Sequence, residues 1–170
     1  LQLTSTGRGF VIVDDMDSDV MVNKIDLNKA FDGDYVKVNV FNNKKRIEGE
    51  IIEILKRNKK EFIGEFKEHK NSGFVLTQNK NMYTDFYISD KDIIVDVEEG
   101  DKVLVKFKDW PKNTKNPFGR IIKNLGKKGE IDTEIKSLLN DFKIKKFFNE
   151  QIINSTKKIN TKIDRKEINI

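Results

Sequence analysis

The chain has no cysteine among its 170 residues. That excludes a disulfide framework and any thiolate nucleophile or metal ligand, and it suits a reducing cytoplasm, the expected compartment. Histidine occurs once, as His69, and tryptophan once, as Trp110. A solitary histidine without a visible partner gives little basis for general acid–base catalysis, which needs a positioned second group. No run of about 18 apolar residues exists, so no membrane-spanning helix and no membrane partner are expected. No signal peptide is visible. Neither sign of charge dominates: 33 Lys and Arg face 28 Asp and Glu, a net +5. The excess is uneven, with 9 basic against 10 acidic residues in 1–58, 13 against 11 in 59–125 and 11 against 7 in 126–170. A polyanionic partner fits this balance without being required by it.

What the sequence does have is a repeat. Gly9-Phe10-Val11-Ile12-Val13 returns as Gly73-Phe74-Val75-Leu76-Thr77, and Asp19-Val20-Met21-Val22 as Asp85-Phe86-Tyr87-Ile88. Gly33-Asp34-Tyr35-Val36-Lys37-Val38 returns as Gly100-Asp101-Lys102-Val103-Leu104-Val105, and Gly49-Glu50-Ile51-Ile52 as Gly119-Arg120-Ile121-Ile122. The landmarks keep their order at offsets of 64, 66, 67 and 70 residues. Drift of that kind is loop insertion between two tandem copies of one module.

Each copy reads as five short strands. Alternating apolar and polar residues, as in Tyr35 to Phe41 and Val103 to Phe107, mark half-buried strands, each entered by a Gly-Asp turn. Strands are expected at 1–4, 8–13, 19–23, 34–41 and 46–55, and again at 61–67, 72–77, 84–88, 101–108 and 118–125. An irregular excursion follows the third strand of each copy. Five strands with that excursion describe an OB-fold, so the expected architecture is mainly β, two tandem five-stranded barrels over 1–58 and 59–125. Residues 126–170 read as a helical linker. Ile131, Ile135, Leu138, Leu139 and Phe142 recur at helical spacing, with Asp132 as cap and Lys143, Lys145 and Lys146 near the end. A second short helix is expected over 149–159. Leu1 falls inside a strand pattern, and the expectation is a fragment of a longer protein.

The Gly-rich and Asp-led strands resemble the two signature strands of the cold-shock domain. They stand as Gly7-Arg8-Gly9-Phe10-Val11 with Asp19-Val20-Met21-Val22-Asn23, and as Lys70-Asn71-Ser72-Gly73-Phe74-Val75 with Asp85-Phe86-Tyr87-Ile88-Ser89. The resemblance implies single-stranded bases stacked on aromatics of these strands. Aromatics are depleted at these positions, Arg8 and Ser72 standing where the pattern has rings, so the expected platform is thin and backbone charge carries more of the binding. A wider resemblance covers nearly the whole chain. Lys108-Asp109-Trp110-Pro111, Asn116-Pro117-Phe118-Gly119-Arg120, Leu125-Gly126-Lys127-Lys128-Gly129 and Asp132-Thr133-Glu134-Ile135 follow the series that leads into the catalytic domain of the RNase II family. That family implies a processive, hydrolytic 3′-to-5′ exoribonuclease whose cold-shock domains feed single-stranded RNA to a catalytic domain holding Mg2+ on clustered Asp residues. No such cluster is seen in this sequence. By the resemblance the parent is an enzyme, and this chain is its non-catalytic feeding part, a monomer needing no cofactor of its own. Its partners would be single-stranded RNA and the catalytic domain of the same chain. The expected RNA contacts are Arg8, Phe10, Met21, Lys67, Lys70, Phe74 and Tyr87.

Each of these residues also has a plainer reading. Phe10 and Phe74 either stack on bases or fill a barrel core. Arg8 either stacks, binds phosphate or is solvated. His69 is a loop residue or an RNA contact beside Lys67 and Lys70. Trp110 is a base platform or an anchor for the loop after it. The acidic run Asp14 to Asp19 lacks the glycine and distal glutamate of a calcium loop and reads as a solvated hairpin rather than a metal site. Lys127 and Lys128 between two glycines lack Walker spacing and form a phosphate contact or a solvated turn. Two alternatives stand beside the feeding role: a free-standing cold-shock-type RNA chaperone, and an OB module that docks protein.

Overall fold

The computed structural model describes residues 1–43, 46–142 and 144. The expected second helix and the basic residues placed at the end of the first lie outside them. Residues 1–137 form one compact unit, and a second begins at Leu138. The first copy supplies β1 (Gln2–Leu3), β2 (Gly9–Val11), β3 (Val20–Val22), β4 (Tyr35–Asn43) and β5 (Arg46–Lys56), with a 3₁₀ turn at Lys24–Asp26. The second supplies β6 (Glu61–His69), β7 (Ser72–Thr77), β8 (Phe86–Ile93), β9 (Asp101–Asp109) and β10 (Phe118–Lys127), followed by α1 (Ile131–Asp141). The protein is mainly β, with the OB strand order in both copies. β3 runs parallel to β5, and β8 parallel to β10.

The two sheets differ in closure. The second copy is a closed barrel in the order β10-β8-β7-β6-β9. The first keeps the same strand order as an open sheet, β1-β2-β3-β5-β4, the partly open form of the five-stranded OB-fold. The reason is strand length. β6 is long enough to pair Glu61 to Glu65 with β9 and Gly64 to His69 with β7. β1 has two residues and reaches only β2. The gap is bridged by single bonds: the Leu1 amino group donates to Asp34 O at 3.0 Å, Gly33 N to Leu1 O at 2.9 Å, and Leu3 N to Asp32 Oδ1 at 2.7 Å.

Alternation along the strands sets the cores. Val20 and Val22 turn inward with Leu3, Val11, Leu27, Ala30 and Ile51 in the first copy. Phe86 and Ile88 turn inward with Phe62, Phe66, Val75, Val103, Val105 and Ile121 in the second. The repeated Gly-Asp pairs do the same work twice. Gly33 and Gly100 take positive φ, +82° and +86°. Each following carboxylate then accepts from the amide three residues back, Asp34 from Phe31 N at 2.8 Å and Asp101 from Glu98 N at 2.9 Å.

The copies are locked together by exchanged side chains. Phe31, from the first copy, is 1% exposed and sits in the second core. Its ring lies 5.1 Å from Phe62, 5.5 Å from Phe107 and 5.5 Å from Trp110, stacked on the last. In return Tyr83 of the second copy packs on the first core and donates its hydroxyl to Ala30 O at 3.0 Å. Arg57, in the link between copies, bonds the buried Asp34 at 2.6 Å and lies over the rings of Phe31 and Phe107. Trp110 is therefore an anchor at this junction, its indole N–H donating to Thr114 O at 3.2 Å.

α1 begins one residue earlier than its expected cap, so Asp132 lies in its first turn rather than at its N-cap. The side chains it buries are Thr133 and Ser137, while Ile131 and Ile135 point to solvent. Small side chains are needed there because the helix crosses β10 at Gly126, where a Cβ would come within 2.3 Å of the Thr133 hydroxyl. The Thr133 hydroxyl donates to Leu125 O at 3.2 Å. No helix among the described residues is long and apolar enough to cross a membrane.

Candidate nucleic-acid interface

Residues that alternate with the core face outward, and in the second copy they form a row of rings. Phe74 on β7 stands opposite Tyr87 on β8, and Tyr87 opposite Phe118 on β10. Ring centroids are 5.6 Å apart for Phe74 and Tyr87 and 5.2 Å for Tyr87 and Phe118. His69, at the end of β6, adds a fourth ring 6.2 Å from Phe74. All but His69 are half-buried. Offset and edge-on contacts of this kind are the favoured aromatic geometry, so the rings support one another. The close approach of β7 to β6 depends on Gly73: a Cβ there would lie 2.2 Å from the Phe66 ring.

Of the residues expected to touch RNA, the structure brings Lys67, Phe74 and Tyr87 together. Lys67 is opposite Phe74 in register, but its ammonium is held by Glu65 at 2.9 Å and Glu99 at 3.5 Å. Hydrogen bonding to Glu65 raises its pKa. Lys70 is exposed at the β6–β7 turn with φ of +48°. Phe10 and Met21 pair across β2 and β3 in the first copy, both half-buried on the outer face. Arg8 is exposed at the start of β2, its backbone tied to Thr4. These three lie on the first copy's sheet, apart from the aromatic row of the second.

Sequence reasoning expected a thin platform drawn from two strands. The structure adds His69 and Phe118, from β6 and β10. Phe118 comes from the strand that closes the barrel beside β8, a neighbour only the parallel β8–β10 pairing creates. The repeat held the signal: Phe118 precedes Gly119 as Glu48 precedes Gly49. Met21 faces Glu48 where Tyr87 faces Phe118. The first copy's strip is thus Phe10, Met21 and Glu48, one ring ending on a carboxylate.

The charges on the closing strands of the two outer faces differ. Glu48, Glu50 and Glu53 on β5 correspond, at the offset of Gly49 to Gly119, to Phe118, Arg120 and Lys123 on β10. Asn39 and Phe41 on β4 correspond, at the offset of Asp34 to Asp101, to Lys106 and Lys108 on β9. The second face is cationic and aromatic, the composition that holds a single strand of nucleic acid. The first carries three glutamates on β5, with Lys37 on β4 opposite Glu53. Asp14 to Asp19 form the exposed turn between β2 and β3. Among the described residues no three His, Asp or Glu side chains converge to hold a metal ion, so the Mg2+ implied by the resemblance finds no ligand set there.

Comparison with known proteins agrees with this geometry. The Ribonuclease B OB domain family matches residues 1–54, and the cold shock domain family matches residues 74–149. Ribonuclease R of Aquifex aeolicus is 26% identical over 162 residues, covering 95% of this chain and 23% of its own length. Ribonuclease R of Thermotoga maritima is 24% identical over 172 residues, covering 99% and 24%. Mycoplasma genitalium RNase R, solved in complex with ribose methylated single-stranded RNA, superposes with a TM-score of 0.81 at 19% identity, covering 98% of this chain and 27% of that one. The chain spans about a quarter of the length of the curated relatives it matches. The chain is thus similar in sequence to the N-terminal quarter of ribonuclease R, and its fold matches the tandem OB and cold-shock arrangement found there.

Proposed function

We propose that this chain binds single-stranded RNA and feeds it to the catalytic domain of a 3′-to-5′ hydrolytic exoribonuclease, with no cleavage by these residues themselves. The observation that carries the reading is the outward row His69, Phe74, Tyr87 and Phe118 on a cationic face. Base stacking on such rings is worth about 1–3 kcal/mol per base and tolerates any sequence, which suits a feeding surface. The similarity to ribonuclease R supports the parent activity. The Mg2+ that such hydrolysis uses belongs, in this reading, to the catalytic domain. The module acts as a monomer in the cytoplasm.

The test is fluorescence anisotropy with labelled oligouridylate and with a duplex of equal length across a salt series. Tighter binding to the single strand, weakened by Phe74→Ala and Tyr87→Ala about 5- to 100-fold each, supports the reading. Equal affinity for single strand and duplex, or variants that bind as the parent does, would sink it. Degradation of the labelled strand by the purified chain would overturn the non-catalytic part.

The acidic face of the first copy favours a second role for that copy alone. Glu48, Glu50 and Glu53 repel phosphate, so the first copy serves as a protein-docking or spacing element while the second grips RNA. Reversing the three charges together would then leave single-strand affinity no lower than before.

A further inference from the structure

Asp92 on β8 is 3% exposed and carries more cation than it can neutralise. Its carboxylate accepts from the Ser89 hydroxyl at 2.8 Å, from Lys108 Nζ at 2.7 and 2.9 Å, and from Arg120 Nε at 2.9 Å. One anion thus fixes two cations from two other strands. The Lys108 and Arg120 side chains remain 37% and 45% exposed. Arg120 is bound through Nε, which leaves the two Nη groups of its guanidinium outside that bond.

The cluster adjoins the aromatic row. Ser89 is two residues from Tyr87 and Arg120 two residues from Phe118, each pair on one face of its strand. Two residues along a strand span about 6.6 Å, a step that one nucleotide can cover. The repeat provides an internal control. At the positions of Lys106, Lys108 and Arg120 the first copy has Asn39, Phe41 and Glu50, and Asn39 donates to Glu50 at 3.1 Å. The same sheet positions fold without cations, so the OB-fold as such does not require them.

We propose that Lys108 and Arg120, held in place by Asp92, form a backbone-phosphate site for single-stranded nucleic acid at the β10 end of the aromatic row. The inference rests on the RNA-binding reading of that row. The two cations donate to non-bridging phosphate oxygens while the neighbouring bases stack on Tyr87 and Phe118. Asp92 is a positioning residue: it lowers the net charge of the site but removes the freedom of two long side chains before binding.

Labelled oligouridylate titrated across a salt series tests this. Lys108→Ala with Arg120→Ala should reduce the slope of log affinity against log salt by about 1.4, two phosphate contacts at about 0.7 each. Asp92→Asn removes one negative charge, yet it should bind several-fold more weakly, because positioning outweighs charge. Tighter binding by Asp92→Asn would overturn the positioning role, and an unchanged slope in the double variant would overturn the site. Circular dichroism confirms that each variant folds. If Asp92→Asn does not, Arg120→Lys keeps the charge but loses the planar fork, and it should lower affinity with the slope intact. Parental affinity in Arg120→Lys would count against the site. Normal slopes beside weakened Phe74→Ala and Tyr87→Ala would refute this site alone. No binding by the unsubstituted chain would refute the RNA-binding reading as well.

Discussion

Replacing Phe31 by alanine should cost more than any surface change, and its cost should be shared by both copies. The ring is 1% exposed, and its neighbours Phe62, Phe86, Phe107 and Trp110 have centroids 5.1, 6.1, 5.5 and 5.5 Å away. Truncating a buried phenylalanine costs about 3–5 kcal/mol in lost transfer energy and cavity. Arg57 lies 4.4 Å above the same ring and would lose that support too. A loss of about 4 kcal/mol is a large part of the roughly 5–15 kcal/mol that holds a domain folded. Trp110, the only tryptophan, stacks on Phe31 and reports on the junction directly. Urea unfolding followed by Trp110 emission and by far-ultraviolet circular dichroism should give coincident transitions in the parent. In Phe31→Ala the midpoint should fall, with Trp110 red-shifted and quenching by iodide increased in the folded baseline. A loss below about 1 kcal/mol, or separate transitions for the two probes in the parent, would refute the idea that one copy's side chain completes the other's core.

Three further outcomes follow from the same geometry. Gly73→Ala should destabilise by about 1–3 kcal/mol, since the new Cβ would lie 2.2 Å from the Phe66 ring, and thermal melting checks it. Asp92 faces a burial penalty, but bonds from Lys108, Ser89 and Arg120 outweigh it and hold its pKa at about 2. Because the folded value lies below the ordinary carboxylate value, the stabilisation is present above about pH 4 and lost as pH falls through about 2. After allowance for the solvent-exposed cations it amounts to about 1–2 kcal/mol, so Asp92→Asn should lose that much at pH 7 and show less acid sensitivity between pH 4 and 2 in urea titrations. Finally, amides of β4 that point away from β5 have no strand partner among the described residues, whereas β9 is paired on both sides. Hydrogen exchange should be more than about tenfold faster at those β4 amides than at their β9 counterparts. Equal protection would show that the first sheet closes in solution.

The sequence by itself determined the repeat, the strands and the fold class. Period-two alternation is a local property, and Gly-Asp or Gly-Phe landmarks mark turns and close approaches wherever they stand, so all ten strands were placed within a few residues. The longest misplacement is at the end of β8, which runs to Ile93 rather than 88. Its last residues include Asp92, whose partners Lys108 and Arg120 lie on other strands and leave no local trace. Phe74 and Tyr87 were legible as ring positions. Whether they faced core or solvent was settled by Val75, Phe86 and Ile88 taking the inner face. Only the tertiary structure decided the rest. It set Phe118 beside Tyr87 through a parallel pairing, placed Phe31 in the neighbouring core, left the first sheet open for want of a longer β1, and gave two copies of one motif outer faces of different charge balance. Each of these depends on residues distant in the chain meeting across strands, where a pattern read along the chain carries no information about distance.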